Sequence, residues 1–370
     1  MSFLKKLGFL SIFIIPALIV WGYYMGGAWT FSGFIFAYGM IPILDVLIGK
    51  DPENISEASF DTVIGNTYFY AVVYAQVYTH IAIVVFSAYV VSLQTMTWLE
   101  LAGLLLSVKL YMASGINIGH ELGHKRNKIA QFHSQLVLML VGYMHFFIEH
   151  NKGHHVNVAT PKDPATSRKN QTFYAFWVQT VFGSWRSAWK IEKNRLQRRG
   201  KKVWSASNAM IWYVVLPLSF FATLTAIFSW GTGTIIWAVP VFLVLQGVLA
   251  FSTLEAVNYV EHYGILRREV APGRYEKVNP LHSWNSNHRI SNFFLFQLQR
   301  HSDHHAHASR PYQVLRHFDE SPQLPSGYPT MILMSLVPPL WFKVMNKRLE
   351  NWQSLAYDAE HIEQVVKAVA

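Results

Sequence analysis

Histidines are the residues of this chain best suited to chemistry, because nine of its 17 histidines stand in four short clusters. The clusters read His120-Glu-Leu-Gly-His124, Glu149-His150-Asn-Lys-Gly-His154-His155, Glu261-His262-Tyr-Gly and His301-Ser-Asp-His304-His305. Imidazole is the commonest protein ligand of transition metals, and two rings three or four residues apart share one face of a helix. The pattern therefore indicates a metal centre.

The first cluster leaves a second interpretation open. His120 to His124 matches H-E-x-x-H, in which two histidines bind zinc and the glutamate is the general base of a protease. A catalytic zinc takes three protein ligands and keeps one position open, so most of the clustered histidines would have no role. Two metal ions with four or five imidazoles each would use all nine. Imidazole alone does not choose between iron, zinc and copper.

The composition predicts a membrane protein. Of the 370 residues 52% are hydrophobic, and the mean hydropathy is +0.20. Cysteine is absent, which excludes disulfides, an iron–sulfur or rubredoxin-type centre within this chain, and a cysteine nucleophile. The net charge is +10, but the basic residues are distributed as in a membrane topology, so no nucleic-acid partner is expected.

Six uncharged or nearly uncharged stretches are long enough to cross a bilayer. They are residues 7–24, 31–48, 68–92, 98–119, 211–230 and 234–254. The short connections between them on one side contain no Lys or Arg, whereas the long connections on the other side are rich in both. The positive-inside rule therefore predicts that both termini and all histidine clusters are cytoplasmic.

The spans must position the ligands. The fourth span runs into His120 and His124, and the sixth runs through Glu255 and Asn258 into His262. Residues 120–205 and 255–370 would then fold over these ends as the metal-site segments. The prediction is one all-α membrane-embedded catalytic domain, 1–370, with six transmembrane helices and a cytoplasmic histidine-rich cap. A metal transporter is a further alternative, but transporter sites tend to lie near the bilayer midplane.

Two shorter apolar runs, Leu136–Ile148 and Met331–Phe342, are too short to span the membrane. Pro338 and Pro339 also interrupt the second run. Both runs are predicted to be buried or interfacial helices beneath the metal site.

The four clusters resemble the motifs of the integral-membrane alkane 1-monooxygenases, the bacterial alkane hydroxylases. The family pattern is H-E-L-x-H-K, E-H-x-x-G-H-H, N-Y-x-E-H-Y-G and L-Q-R-H-S-x-H-H-A. It stands here as His120 to Lys125, Glu149 to His155, Asn258 to Gly264 and Leu298 to Ala306, with no departure at the histidines. Membrane fatty-acid desaturases and hydroxylases share an eight-histidine scheme and are the nearest alternative.

The resemblance implies a non-haem diiron enzyme of the bacterial inner membrane. Such an enzyme takes an n-alkane from the bilayer and inserts one oxygen atom of dioxygen into its terminal methyl group. Its electrons come from rubredoxin, which a rubredoxin reductase reduces. The implied iron ligands are His120, His124, His150, His154, His155, His262, His301, His304 and His305.

Charged residues near the clusters have expected supporting roles. A metal-bound histidine usually gives its second N–H to a carboxylate or carbonyl. The carboxylates interleaved with the ligands are candidates for this role, and they are Glu121, Glu149, Glu255, Glu261 and Asp303.

A basic run lies between the second cluster and the fifth span. It could dock an acidic rubredoxin or simply carry positive-inside charge against lipid headgroups. The docking candidates are Arg195, Arg198, Arg199, Lys201 and Lys202. Lys109, inside the fourth span, is an unusual intramembrane charge, for which pairing with Glu100 or snorkelling is the alternative to a function.

Overall fold

The computed structural model describes residues 2–356 and 362, so the last part of the predicted segment 255–370 lies outside the described residues. Six helical segments are long and apolar enough to cross a membrane, which confirms the predicted number of spans. They are Phe3–Met25, Gly27–Ile48, Thr67–Ser92, Trp98–Gly123, Ala209–Ser229 and Ala238–His262.

The first two spans are irregular, whereas the other four are single helices. The first span consists of Phe3–Gly8, a 3-10 turn at Ser11–Phe13, and Ile14–Met25. The second consists of a 3-10 segment Gly27–Phe31, Ser32–Ile35, a π-helical turn Phe36–Met40, and Ile41–Ile48. Pro42 stands in the first turn after the π-helical segment and has no N–H to donate to the preceding turn.

The fourth and sixth helices extend beyond the apolar stretches into the histidine clusters, as the unbroken sequence indicated. The fourth helix continues to Gly123 and the sixth to His262, because helix hydrogen bonds continue where the side chains become polar. The fourth helix begins at a capping box in which Thr97 and Glu100 bond reciprocally. The sixth begins only at Ala238, after a turn with positive φ at Gly231 and Gly233.

The long connections lie together at one end of the bundle. Their helices and turns are Glu57–Ile64, Lys128–Met139, Phe146–Glu149, His150–His154, His155–Asn157, Phe173–Arg198, Arg289–Phe294, His301–Ala306, Tyr312–Val314, Tyr328–Ser335 and Pro338–Ala356. A small hairpin joins strands Glu269–Ala271 and Arg274–Tyr275. At the opposite end Trp98, Trp230 and Trp237 are exposed, as is typical of a membrane–water boundary.

The sequence did not reveal the long helix Phe173–Arg198 among these connections. Its side chains Tyr174, Val178 and Phe182 are four residues apart and exposed, so one face of the helix is an apolar stripe. An exposed stripe of this kind fits a helix lying at the membrane surface.

The two short apolar runs are each divided between helices. Leu136–Ile148 is interrupted at Gly142, whose φ is +67°, and the second run is divided before Pro338. The helix Lys128–Met139 packs directly on the fourth span, where a Cβ at Gly119 would lie only 3.0 Å from Cγ of Leu138. These helices therefore support the histidine end of the fourth span.

Candidate metal centre

All nine clustered histidines come together at the ends of the fourth and sixth spans, in two groups. Within each group the ring nitrogens lie within 4.8 Å of one another, so each group could hold a metal ion. The five-histidine group is His120, His124, His150, His155 and His304, and the four-histidine group is His154, His262, His301 and His305.

A π-helical turn divides the histidines of the second cluster between the two groups. Residues His150–His154 form this turn, in which backbone hydrogen bonds join residues five apart. His150 and His155 consequently share a side, with their Nε2 atoms 3.0 Å apart. His154 lies in the other group. Spacing of four residues thus places His120 and His124 in one group, whereas His150 and His154 belong to different groups although their ring centres are 5.2 Å apart.

The nitrogen–nitrogen distances fit metal coordination. The Nε2 atom of His304 lies 2.8 Å from that of His120 and 3.1 Å from that of His155. In the other group, the Nε2 atoms of His301 and His305 are 2.9 Å apart. Two imidazole nitrogens bound at right angles to one ion, each at about 2.1 Å, would be separated by roughly 3.0 Å. The donor set thus has the spacing of ligands around a common ion.

Most of these rings are neutral at neutral pH. Burial lowers the pKa of the histidines outside the spans well below its ordinary value, and neighbouring rings lower it further. This holds for His124, His150, His155, His301, His304 and His305. A neutral imidazole keeps a free lone pair, which is the form that binds a metal.

His154 differs because a carboxylate lies behind its ring. Burial alone would lower the pKa of His154, but the charge and hydrogen bond of Asp163 raise it. The Nδ1 of His154 lies 2.9 Å from Asp163 Oδ2, which also accepts from Thr166 at 2.7 Å. This contact directs Nε2 of His154 toward its group. Sequence reasoning missed Asp163, although its position in the polar turn after the cluster, between Lys162 and Pro164, is a recognisable signal.

Of the five candidate carboxylates, Glu261 contacts a ring nitrogen of the groups. Its Oε2 lies 3.1 Å from Nε2 of His301, and its Oε1 accepts from the Tyr328 hydroxyl at 2.8 Å. Glu255 instead accepts from the Tyr143 hydroxyl at 2.8 Å and from two further side chains. Both carboxylates are 1% exposed, so their hydrogen bonds offset the cost of burial.

The other three carboxylates have different partners. Glu121 pairs with Nζ of Lys125 at 2.6 Å. Glu149 accepts from the backbone N–H of His154 at 3.2 Å, and burial together with nearby Asp163 raises the pKa of Glu149 to about 7. Asp303 accepts from the side chain of Arg310 and from the backbone N–H of Arg316, both in the loop that follows it. These contacts stabilise the segments that carry the ligands.

The remaining described histidines lie outside both groups. Six of them contact backbone carbonyls, hydroxyls or carboxylates, namely His80, His133, His282, His288, His307 and His317. His145 is buried beside the rings of Tyr143 and Trp185.

An apolar cavity lies between the second, fourth and sixth spans, and two of its lining residues stand close in the chain to the histidines. Its lining includes Leu110, Asn117, Val257 and Leu298. Asn117 stands three residues before His120 in the fourth span, and Leu298 three residues before the last histidine cluster. The cavity therefore brings apolar surface close to the histidines.

The basic run lies at the end of the helix Phe173–Arg198 and just beyond it. Four of its members are exposed, namely Arg198, Arg199, Lys201 and Lys202. Arg195 is half-buried and bonds Glu192 at 2.6 Å. Lys152, which lies between His150 and His154 in the chain, lines the same surface groove as Arg195, Arg198 and Arg199.

Comparisons with known proteins agree with this geometry. The sequence model of the fatty acid desaturase family matches residues 95–334. The chain is 41% identical over 355 residues to an alkane 1-monooxygenase of Pseudomonas putida, covering 95% of this chain and 87% of that protein. It is 42% identical over 347 residues to an alkane 1-monooxygenase of Acinetobacter baylyi, covering 91% and 83%. The hydroxylase component of a xylene/toluene monooxygenase of Pseudomonas putida is 29% identical over 343 residues, covering 92% and 88%.

The matched residues 95–334 contain all nine histidines and the fourth, fifth and sixth spans. The resemblance inferred from the four motifs is thus confirmed over nearly the whole chain. The chain belongs to the fatty acid desaturase family and, within it, to the alkane 1-monooxygenases.

Proposed function

We propose that this protein hydroxylates the terminal carbon of n-alkanes at a non-haem diiron centre, with dioxygen and with electrons from rubredoxin. The observation that carries the proposal is the pair of histidine groups beside an apolar cavity in a bundle of membrane-spanning helices. A hydrocarbon needs an apolar cavity, and the metal ions need the nine converging imidazoles. The names of the relatives support the alkane as substrate.

In this proposal the five-histidine group holds one iron and the four-histidine group the other. The bound irons would supply the activation of dioxygen. Imidazole ligands bring no negative charge to balance two ferrous ions, and buried charge is costly. Glu261, which lies beside Nε2 of His301, is the described carboxylate best placed to supply such charge to the four-histidine group.

The substrate would enter from the bilayer between the fourth and sixth spans. The cavity side chains Leu110, Leu254 and Val257 would hold the alkyl chain and exclude water from the methyl group. With its alkyl chain extended toward Asn117 and Leu298, the lining residues close in the chain to the histidines, an alkane would present its end rather than its middle. This orientation accounts for terminal hydroxylation.

The alternatives explain fewer of the observations. A zinc protease would use Glu121 as its general base, but this carboxylate pairs with Lys125. A transporter would place its site near the bilayer midplane, whereas the histidines lie at helix ends. A desaturase remains the nearest rival, and product analysis separates the two, since a desaturase yields an alkene and a hydroxylase a primary alcohol.

Membrane orientation is part of the proposal. The histidine end would face the cytoplasm of a bacterial cell, because the long connections at that end carry most of the Lys and Arg residues. Lys5 near the N-terminus pairs with Asp51 at 2.5 Å, which ties the N-terminal segment to the connection after the second span. Electrons and protons would then reach the centre from the cytoplasm.

Rubredoxin would be a separate protein, because the chain has no cysteine with which to bind a rubredoxin-type iron. We propose that it docks on the basic run and on Lys152, beside the segment that carries His150 and His154. Arg195 would contribute less because Glu192 already neutralises it. Positive charge here would steer an acidic carrier to the surface nearest the metal site.

The docking surface can be tested by changing Arg198, Arg199, Lys201 and Lys202 together to glutamine. We expect the apparent KM for rubredoxin to rise about tenfold and its dependence on salt to weaken, with iron content retained. The control changes three exposed basic residues of the helix Pro338–Ala356, namely Lys343, Lys347 and Arg348. Equal effects in both variants, or none in either, would place the docking surface elsewhere.

Asp163 can be tested by substitution with alanine, which leaves Nδ1 of His154 without its partner. Loss of such a supporting carboxylate typically lowers metal affinity about 10- to 100-fold, and we expect that loss in a chelator competition titration. Asp319, whose side chain is exposed and contacts His317 at 3.0 Å, provides the matched Asp→Ala control. Unchanged iron affinity in the Asp163→Ala variant would show that Asp163 does not support metal binding by His154.

A further inference from the structure

The helix Phe173–Arg198 lies at the level where the apolar parts of two spans end. Near its start, Nε1 of Trp177 donates to Oγ of Ser252, close to the end of the apolar part of the sixth span. Near its other end, Oε1 of Glu192 accepts from the backbone N–H of Ala209, the first residue of the fifth span. Both contacts are on the side of the bundle that carries the histidines. The helix therefore runs along the boundary between hydrocarbon and headgroups.

One exposed face of this helix changes from apolar to basic along its length. Its first half presents the apolar stripe that begins at Tyr174 and ends at Phe182. The same line of side chains continues at intervals of four, four and three residues with Arg186, Lys190 and Lys193, which are also exposed. Apolar side chains followed by cations on one face match the two parts of an anionic phospholipid, its acyl chains and its phosphate.

The three cations of this face have no counter-charge within reach. In the part of the chain that the structure describes, no carboxylate oxygen lies within 4 Å of the side-chain nitrogens of Arg186, Lys190 or Lys193. Arg195 differs, because Glu192 pairs with it at 2.6 Å. Unpaired cations at the membrane boundary attract anionic lipids.

Tryptophan side chains mark the headgroup level beside these cations. Trp189, next to Lys190 in the chain, has its ring centre 5.3 Å from that of Trp204, which is 78% exposed. Trp212, in the first turn of the fifth span, is also exposed and donates from Nε1 to the carbonyl of Ala206 at 2.9 Å. Indole rings favour this level because their apolar body and their N–H need different surroundings. The basic part of the face thus stands where lipid phosphates lie.

We propose that this face binds an anionic phospholipid, with the phosphate at Arg186, Lys190 and Lys193 and an acyl chain against Val178 and Phe182. The three cations extend over roughly 10 Å of helix, which suits one headgroup. None of the described residues that line the apolar cavity belongs to this helix. The lipid would therefore be a bound partner on the outside of the bundle and not a substrate.

An acidic protein is the other partner that such cations could attract. The groove assigned above to rubredoxin is lined by Lys152, Ile191 and Arg198, and its lining includes none of the three cations. The apolar stripe directly before the cations favours a lipid, because a soluble carrier docked on the cations would leave Val178 and Phe182 uncovered.

The test measures lipid binding by the detergent-purified full chain and by a variant in which Arg186, Lys190 and Lys193 are glutamine. Native mass spectrometry gives the apparent dissociation constants for dioleoylphosphatidylglycerol and dioleoylphosphatidylcholine, which share their acyl chains. We expect the wild type to bind the phosphatidylglycerol about tenfold more tightly, and the variant to bind both lipids about equally. Unchanged affinity of the variant for phosphatidylcholine shows that it is folded. Raising the salt concentration should lower the preference of the wild type.

The matched control removes three exposed cations at the small hairpin, where Nζ of Lys162 bonds the carbonyl of Gly273 at 3.2 Å. Its substitutions to glutamine are at Lys162, Arg274 and Lys277, and the preference for phosphatidylglycerol should remain. A wild type without this preference, or a triple variant that keeps it, would overturn the inference. If the triple variant keeps the preference and instead raises the apparent KM for rubredoxin, the cations dock the electron carrier and the lipid site is refuted.

Discussion

Replacing His304 with alanine is expected to remove iron and alkane hydroxylation together. Its Nε2 atom lies between those of His120 and His155, at 2.8 and 3.1 Å, and its side chain is 2% exposed. Because changes behind a ligand already cost about 10- to 100-fold in affinity, we expect a loss of at least that size here. Elemental analysis and dodecan-1-ol formation should be measured on the same preparation.

The matched control is His133→Ala. His133 is also largely buried, but its ring bonds the carbonyl of Ile129 and the hydroxyl of Tyr78, each at 2.8 Å. Its loss should reduce stability while leaving iron bound. A His304→Ala protein with full iron and full activity would contradict the assignment of the five-histidine group.

Filling the cavity is expected to abolish dodecane hydroxylation while leaving iron in place. Val257 lines the cavity on the sixth span, five residues before His262, and is 7% exposed. A tryptophan there should occupy the space of the alkyl chain and lower turnover about 100-fold or more. Overpacking also costs about 1–3 kcal/mol of stability, so Val257→Phe provides a milder variant. Product formation and iron content should be determined for each.

The control for this prediction lies on the same helix. Val244 is 48% exposed and does not line the cavity, so Val244→Trp should leave dodecane hydroxylation close to the wild type. Normal turnover by a folded, iron-containing Val257→Trp protein would show that the substrate uses another route.

The number of spans could be predicted from the sequence because hydropathy and length decide it, whereas the exact helix ends required the structure. Hydropathy falls at His120 and Glu255, but both residues remain helical, since backbone hydrogen bonds do not depend on side-chain polarity. The helix Phe173–Arg198 was missed because its apolar residues form a stripe rather than a continuous run. Its sequence therefore resembles neither a span nor a loop.

The convergence of the nine histidines was predictable, but their division into two groups was not. Helical spacing places His120 with His124 correctly, whereas the π-helical turn at His150–His154 pairs His150 with His155 instead. Sequence periodicity assumes α-helical geometry and cannot reveal an extra residue in one turn. The contact between His154 and Asp163 also depends on a loop conformation that no motif specifies.

The position of Lys109 illustrates a further limit. Its charge within an apolar span was evident from the sequence, but the choice between pairing with Glu100, snorkelling and function required tertiary structure. Glu100 turned out to belong to a capping box, and Lys109 to lie against two residues that line the cavity. The sequence thus identified the unusual residue, and the structure showed which residues it contacts.

The diiron hydroxylase account is tested most directly by counting the metal in an active preparation. Purified protein would be assayed with dodecane, rubredoxin, rubredoxin reductase and NADH, and its metal content determined in the same sample. With one ion for each histidine group, we expect two irons per chain in protein that forms dodecan-1-ol, and activity that falls in proportion as iron is removed. Full activity in protein that contains one zinc per chain and no iron would contradict the account.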